Sequence, residues 1–300
     1  MQKVRVAMMQ MTVKTNCPDE NLNHARMLLE TLPKDRMPDF ALFPETCDIG
    51  WASAEAPDLA TEVPGGKVCQ TWMRLAAEFG IYIVAGMTER DRDKIYNTAV
   101  FISRDGKLLA KHRKLNVLQD VEGIYEIGDR LNVAETEFGR IGFDICADNF
   151  ISNTVLLHSL ARMGARMILS PSAWAVTPDY DNEKTKYGSL WTVPYSRLAA
   201  LYRMPVFGVS NVGYMTSGPW AGHLSIGNSM AFDAEGNEII ILPFGADEER
   251  VHIVETTLCD PVAKGTDFAE ALLARGYTGQ AEDTGLFPKG HGDGSVKAGS

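Results

Sequence analysis

Three reactive side chains in this 300-residue sequence stand where short apolar runs end. Glu45 follows Phe40-Ala41-Leu42-Phe43-Pro44, Lys114 follows Lys111-His112-Arg113, and Cys146 follows Ile141-Gly142-Phe143-Asp144-Ile145. In α/β proteins, sites collect at the carboxyl ends of strands, so chemistry is expected at these positions. A carboxylate, an ammonium and a thiol are residue types that can carry chemistry. Taken singly, each has a plainer reading. Glu45 reads as a solvated loop carboxylate, Lys114 as part of a charged strand edge, and Cys146 as a small buried hydrophobe. Strand alternation puts Lys114 and His112 on one face and Arg113 on the other. A helix after Cys146 is expected to aim N–H donors at its thiolate. His112, His158 and His223 stay open as partners for a thiol, each with a core or surface reading beside it. No Gly-x-Ser-x-Gly segment offers a serine nucleophile, and no His-Glu-x-x-His segment offers a metal site.

These residues need strands and helices to bring them together. Val4–Met9, Phe40–Phe43, Ile81–Met87, Arg140–Ile145 and Met167–Ser170 read as strands, and Asn21–Leu32, Lys67–Gly80 and Asn153–Gly164 as helices. Asn97–Ser103 and Lys107–Arg113 read as a hairpin turning at Arg104-Asp105-Gly106. Strands interleaved with helices over this length predict an α/β fold. An internal repeat refines it. Arg74-Leu75-Ala76-Ala77 ends one helix and runs into Ile81–Gly86; Arg197-Leu198-Ala199-Ala200 ends another and runs into Val206–Ser210. Each is followed by a hairpin opening on asparagine, at Asn97-Thr98-Ala99-Val100-Phe101 and Asn228-Ser229-Met230-Ala231-Phe232. Two related halves predict two sheets packed face to face with helices outside, a four-layer αββα sandwich in a single domain over residues 1–260. Residues 261–300 read as an extension, extended or partly disordered, because Gly, Asp and Lys leave almost nothing to bury from Glu282 onward.

Composition excludes other classes. Hydrophobic residues make up 45% and charged residues 23%, an ordinary globular balance. The net charge of −10 is spread along the chain, which argues against nucleic acid as a partner. No apolar run reaches bilayer length and the first residues carry no secretion signal, so no membrane partner is expected. The five cysteines are scattered without close pairs, which fits free thiols in a reducing, cytoplasmic setting rather than a disulfide or zinc framework.

Together, Phe43-Pro44-Glu45, Arg113-Lys114 after the hairpin, and Ile145-Cys146-x-Asp148 resemble the nitrilase, or carbon–nitrogen hydrolase, superfamily. Gly164-Ala165 leading into Met167–Ser170 adds to the likeness, which covers roughly Val4 to Leu258. The resemblance implies a Glu45–Lys114–Cys146 triad and a thioester intermediate, with no cofactor and no metal. It implies a second glutamate, with Glu122 the better match and Glu126 its competitor, since Ile127 replaces a proline and the spacing falls a residue short. The Ala147 amide would join Lys114 at the oxyanion. Trp174 would line the pocket unless it is a core or interface aromatic, and Asn211 resembles a family asparagine near the site unless it is a turn residue. Asn149-Phe150-Ile151-Ser152-Asn153 departs from the family's usual continuation. Ala147-Asp148, where nitrilases proper carry Trp-Glu, favours a small linear amide or N-carbamoyl substrate over a nitrile. A nitrilase, or an idle binding or scaffold member, is the alternative. Homo-oligomerisation, as a homodimer or larger, is expected by the same resemblance.

Overall fold

Val4, Val6 and Met8 leave the first strand on one side and Ala7 and Met9 on the other, and both sets are buried. A strand apolar on both faces belongs inside a layered structure. The computed structural model, which describes residues 2–152, 154–265 and 270–277, has that form. The first half supplies β1 (Gln2–Gln10), β2 (Phe40–Leu42), β3 (Tyr82–Asp91), β4 (Lys94–Ile102) and β5 (Leu108–Arg113). The second half runs β6 (Val133–Thr136), β7 (Gly139–Phe143), β8 (Ile168–Ser172), β9 (Ala175–Val176), β10 (Val206–Ser210), β11 (Val212–Tyr214), β12 (Leu224–Ile226), β13 (Met230–Phe232) and β14 (Glu238–Ile241). A last strand, β15 (Arg250–Leu258), returns to the first half.

One six-stranded sheet is ordered β15-β1-β2-β3-β4-β5 and the other β6-β7-β8-β10-β13-β14. Read in that direction they are the same sheet. Each has an antiparallel outer strand, a parallel trio, then an antiparallel hairpin pair. The repeated Arg-Leu-Ala-Ala segments fall at matching places, before β3 and before β10. β9, β11 and β12 form a small third sheet that no sequence pattern announced, since two- and three-residue strands are too short to show a period.

The helices are α1 (Pro18–Glu30), α2 (Ala56–Leu59), α3 (Lys67–Phe79), α4 (Val155–Arg162), α5 (Ser189–Tyr202) and α6 (Glu270–Leu273). In α3, Val68, Cys69, Trp72, Leu75 and Ala76 make one buried stripe at helical spacing. It packs with α1 on the outer face of the first sheet. Gly80 ends it in the left-handed conformation at φ 63°, a conformation that costs glycine no Cβ clash. Helices α4 and α5 cover the second sheet. Between the sheets aromatic rings meet edge to face, as Phe101 and Phe143 do at 5.5 Å. The order is therefore helix, sheet, sheet, helix.

After Cys146 a short 3₁₀ turn, Cys146–Asn149, precedes α4, which falls within the expected helix Asn153–Gly164. Within the extension α6 is helical and buries Leu272; the segment from Glu282 to Ser300 lies outside the described residues. Among the described residues no helix is long and apolar enough to cross a membrane.

Candidate active site

Glu45 sits just beyond the end of β2, and its backbone crosses between the sheets: its N–H donates to the Ser172 carbonyl of β8 at 3.1 Å. The neighbouring strand has to make way for this loop. Gly86 of β3 donates to the Pro44 carbonyl at 2.9 Å, and a Cβ built on it would stand 2.4 Å from Glu45 Cα. Gly86→Ala should therefore displace the Glu45 loop. We expect about 1–3 kcal/mol of lost stability in urea unfolding, with turnover falling further than stability alone explains. An alanine variant with normal activity would show that the loop position is not needed.

Lys114 follows β5 and is buried with Glu45. Its Nζ donates to Glu45 Oε1 at 2.6 Å, and Asn97 Nδ2 donates to the same oxygen at 2.6 Å. Glu45 Oε2 is buried without a partner among the described residues. Burial works against a charge on Lys114, but the facing Glu45 and Cys146 raise its pKa above the ordinary lysine value, so it is a cation at neutral pH. The ammonium also lies 5.9 Å from the Trp51 ring centroid. On the opposite face of β5, Arg113 pairs with Glu89 at 2.6 Å and Asp91 at 2.7 Å. The alternation read from the sequence holds.

Cys146 begins the 3₁₀ turn with φ 46°, a left-handed conformation that a non-glycine residue holds only at a cost of about 1–3 kcal/mol. The chain turns sharply here between strand and helix, which projects the side chain out of the sheet. The thiol is nearly buried, and burial, then Glu45, push its pKa up, while Lys114 and the Ala173 amide pull the other way. The resting group is a neutral thiol. The Ala173 amide donates to it.

One side chain ties the two loops together. Asp148 Oδ1 accepts from the Leu115 and Asn116 amides at 3.1 and 2.8 Å, and Oδ2 from the Ile145 amide at 3.0 Å and from His112 Nε2 at 2.7 Å. Burial opposes the charge on both Asp148 and His112, yet each stabilises the other: the aspartate pKa is lowered and the histidine pKa raised. His112 is thus occupied by Asp148, and the pair clamps the Lys114 loop to the Cys146 turn.

Of the other expected residues, Ala147 is buried in the turn and its carbonyl accepts from Asn116 Nδ2 at 3.0 Å. Trp174 is fully buried and stacked on Trp191 at 5.3 Å, one residue from the Ala173 amide that reaches the thiol. Asn211 is buried one residue past the Ser210–Ser172 pair, with Oδ1 unpartnered among the described residues. Glu122 and Glu126 require correction, because the structure brings neither to the triad. Val121 and Tyr125, four apart on one turn, point inward, so Glu122 and Glu126, each one residue on, point out. Glu122 is exposed, and Glu126 pairs with Lys94 at 3.3 Å on the surface. Asn97 was missed as a site residue, although its place at the head of a repeated hairpin was visible.

A model of the carbon–nitrogen hydrolase family matches residues 5–260. A protein named nitrilase from Pyrococcus abyssi is 31% identical over 173 residues, 56% of this chain and 64% of its own length. Omega-amidase NIT2 of Xenopus tropicalis is 30% identical over 187 residues, 59% of this chain and 66% of its own length. The chain thus spans just under two thirds of the length of these curated relatives. Among solved structures, Saccharomyces cerevisiae Nit3, a member of branch 10 of the nitrilase superfamily, matches with a TM-score of 0.71 at 23% identity, over 85% of this chain and 90% of that one. A mutant amidase from Nesterenkonia sp. AN1, solved with the acetamide moiety of fluoroacetamide added covalently at its active-site cysteine, matches with a TM-score of 0.68 at 17% identity, over 84% and 89%. At these identities the two structures share the fold with this chain.

Proposed function

Because the chain belongs to the carbon–nitrogen hydrolase family of the nitrilase superfamily, we propose that it hydrolyses the C–N bond of a small linear amide or N-carbamoyl compound through a thioester on Cys146. The observation that carries this reading is the division of labour within one carboxylate. Glu45 Oε1 is held by Lys114 and Asn97, both at 2.6 Å, and Oε2 is left bare. A base fixed by one oxygen and free at the other is placed to move protons without moving itself.

The chemistry follows from that arrangement. Glu45 Oε2 takes the thiol proton as Sγ bonds to the carbonyl carbon, which makes the carbonyl oxygen an anion. The Lys114 ammonium and the Ala147 N–H stabilise that anion. The tetrahedral centre collapses, the C–N bond breaks, and Glu45 gives its proton to the departing nitrogen. Ammonia or an amine leaves, and the acyl group stays on sulfur as a thioester. Glu45 then takes a proton from water as its oxygen attacks the thioester. The C–S bond breaks, the thiol recovers its proton, and the acid is released. We assign Trp174, one residue from Ala173, and Asn211 to the wall of the acyl pocket. The curated relatives include an omega-amidase as well as a nitrilase, which supports an amide-directed reading without fixing the acyl group.

The test is the intact mass of the protein after brief exposure to short primary amides. The expected result is a gain equal to the acyl group minus hydrogen, absent in Cys146→Ala. No gain with any amide, together with unchanged turnover in Cys146→Ala, would overturn the proposal. Faster acid formation from a matched nitrile than from its amide would reverse the substrate order.

A further inference from the structure

Behind the thiol lies a second group of buried polar side chains that hydrolysis does not use. Asp144, Asn149 and Ser170 are fully buried, and Tyr195 reaches them from α5. The Cys146 backbone N–H donates to Ser170 Oγ at 3.2 Å. Asn149 Nδ2 donates to the same oxygen at 3.1 Å and to Asp144 Oδ1 at 2.7 Å. Two accepted bonds fill both acceptor sites of the Ser170 hydroxyl, so its own proton is left for a neighbour, and the Asp144 carboxyl interacts with it. From Asp144 a hydrogen-bonded path thus runs to the amide of the one residue whose strained backbone aims the nucleophile.

We infer that Asp144 is a positioning residue for the nucleophile: through Asn149 and Ser170 it fixes the Cys146 amide, and with it the left-handed turn that sets the direction of the thiol. The inference rests on the reading of Cys146 as nucleophile given above. A strained φ persists only where its surroundings over-determine it. Here a polar network adds to the apolar packing around Cys146, and a network of this kind holds only when its members are satisfied.

The state of the acid is set by the same surroundings. Ser170 and Asn149 donate to the Asp144 carboxyl and favour its charged form, and burial opposes them. Burial first, then the Asp148 charge, push Asp144 up to about 7. The titratable groups facing it are Asp148 and His112 from the clamp and Tyr195 from α5. Its raised pKa fixes the sign. The uncharged form prevails below neutrality, and above it an anion forms behind a thiol that has to become anionic, so activity falls on the alkaline side.

The experiment compares wild type with Asp144→Asn, Asp144→Ala and Cys146→Ala, using a short primary amide from mildly acidic to mildly alkaline pH. Asparagine copies the protonated acid, keeping an acceptor for Asn149 and a donor in place of the O–H. Asp144→Asn should retain near-wild-type kcat below neutrality and lose the alkaline fall. Asp144→Ala should lose kcat by about 10²-fold, the penalty of a small misplacement of a reacting group, with KM little changed. The rate at which iodoacetamide alkylates Cys146, read by intact mass, should change in Asp144→Ala and not in Asp144→Asn. Full activity in Asp144→Ala, or an alkaline fall that persists in Asp144→Asn, overturns the inference while an inactive Cys146→Ala leaves the nucleophile standing. An active Cys146→Ala overturns both. Should Asp144→Ala fail to fold, the pH profile of Asp144→Asn decides alone.

Discussion

Replacing Glu45 by glutamine should lower kcat/KM by about 10⁴-fold, the upper end of what a positioned acid–base group supplies. The large figure follows from the resting state of the nucleophile. Burial and Glu45 both hold the Cys146 thiol above its usual pKa, so little thiolate exists unless a base removes the proton during attack. Glutamine keeps an acceptor oxygen for Lys114 and Asn97 but cannot take a proton at the position of Oε2. In the proposed mechanism the same group serves attack, amine departure and thioester hydrolysis, so every chemical step should be affected. Lys114 also loses the facing carboxylate that helps raise its pKa. Acid formation from a primary amide measures the effect, with circular dichroism to confirm the fold. A variant within about tenfold of wild type would remove Glu45 as the base, because that loss is below what a single general base contributes.

Lys114→Met should do two kinds of damage at once. Catalysis loses a charged donor at the oxyanion, worth about 10²–10³-fold in kcat. Stability suffers because the Glu45 carboxylate is left buried without its cation, and breaking such a pair from one side costs about 3–5 kcal/mol. Urea unfolding beside a turnover assay separates the two effects. A variant as stable as wild type would mean that Glu45 is not left buried without a partner.

Glu45, Lys114 and Cys146 could be singled out in the sequence because each stands where a strand ends, and that pattern is local. Alternation along β5 was equally local, and it placed His112 with Lys114 and Arg113 on the other face. What His112 binds was not local: Asp148 lies thirty-six residues on and is brought over by the packing of two sheets. Glu122 and Glu126 failed for a related reason. Matching by spacing treated the segment as a string, whereas a turn bonded from Tyr125 N–H to the Val121 carbonyl decided which side chains point inward. Asp144, Asn149, Ser170 and Tyr195 looked unremarkable one by one, since a buried polar network has no period. The duplication was legible because it repeats both a helix end and the hairpin after it, and the strand order extends it to all six strands of each sheet.

The pairing of β1 with β15 has a consequence for how the molecule is made. Gln2 lies opposite Leu258 and Gln10 opposite Arg250, so the edge partner of β1 is made after every other strand of its sheet. The second sheet draws all its strands from Val133 to Ile241 and has no such debt to the end of the chain. During synthesis the Cys146 half therefore has every strand it needs while the Glu45 and Lys114 half still shows a bare β1 edge, the kind of edge that recruits stray strands. The thiol-bearing sheet can be complete before the sheet that carries its base and its cation is closed.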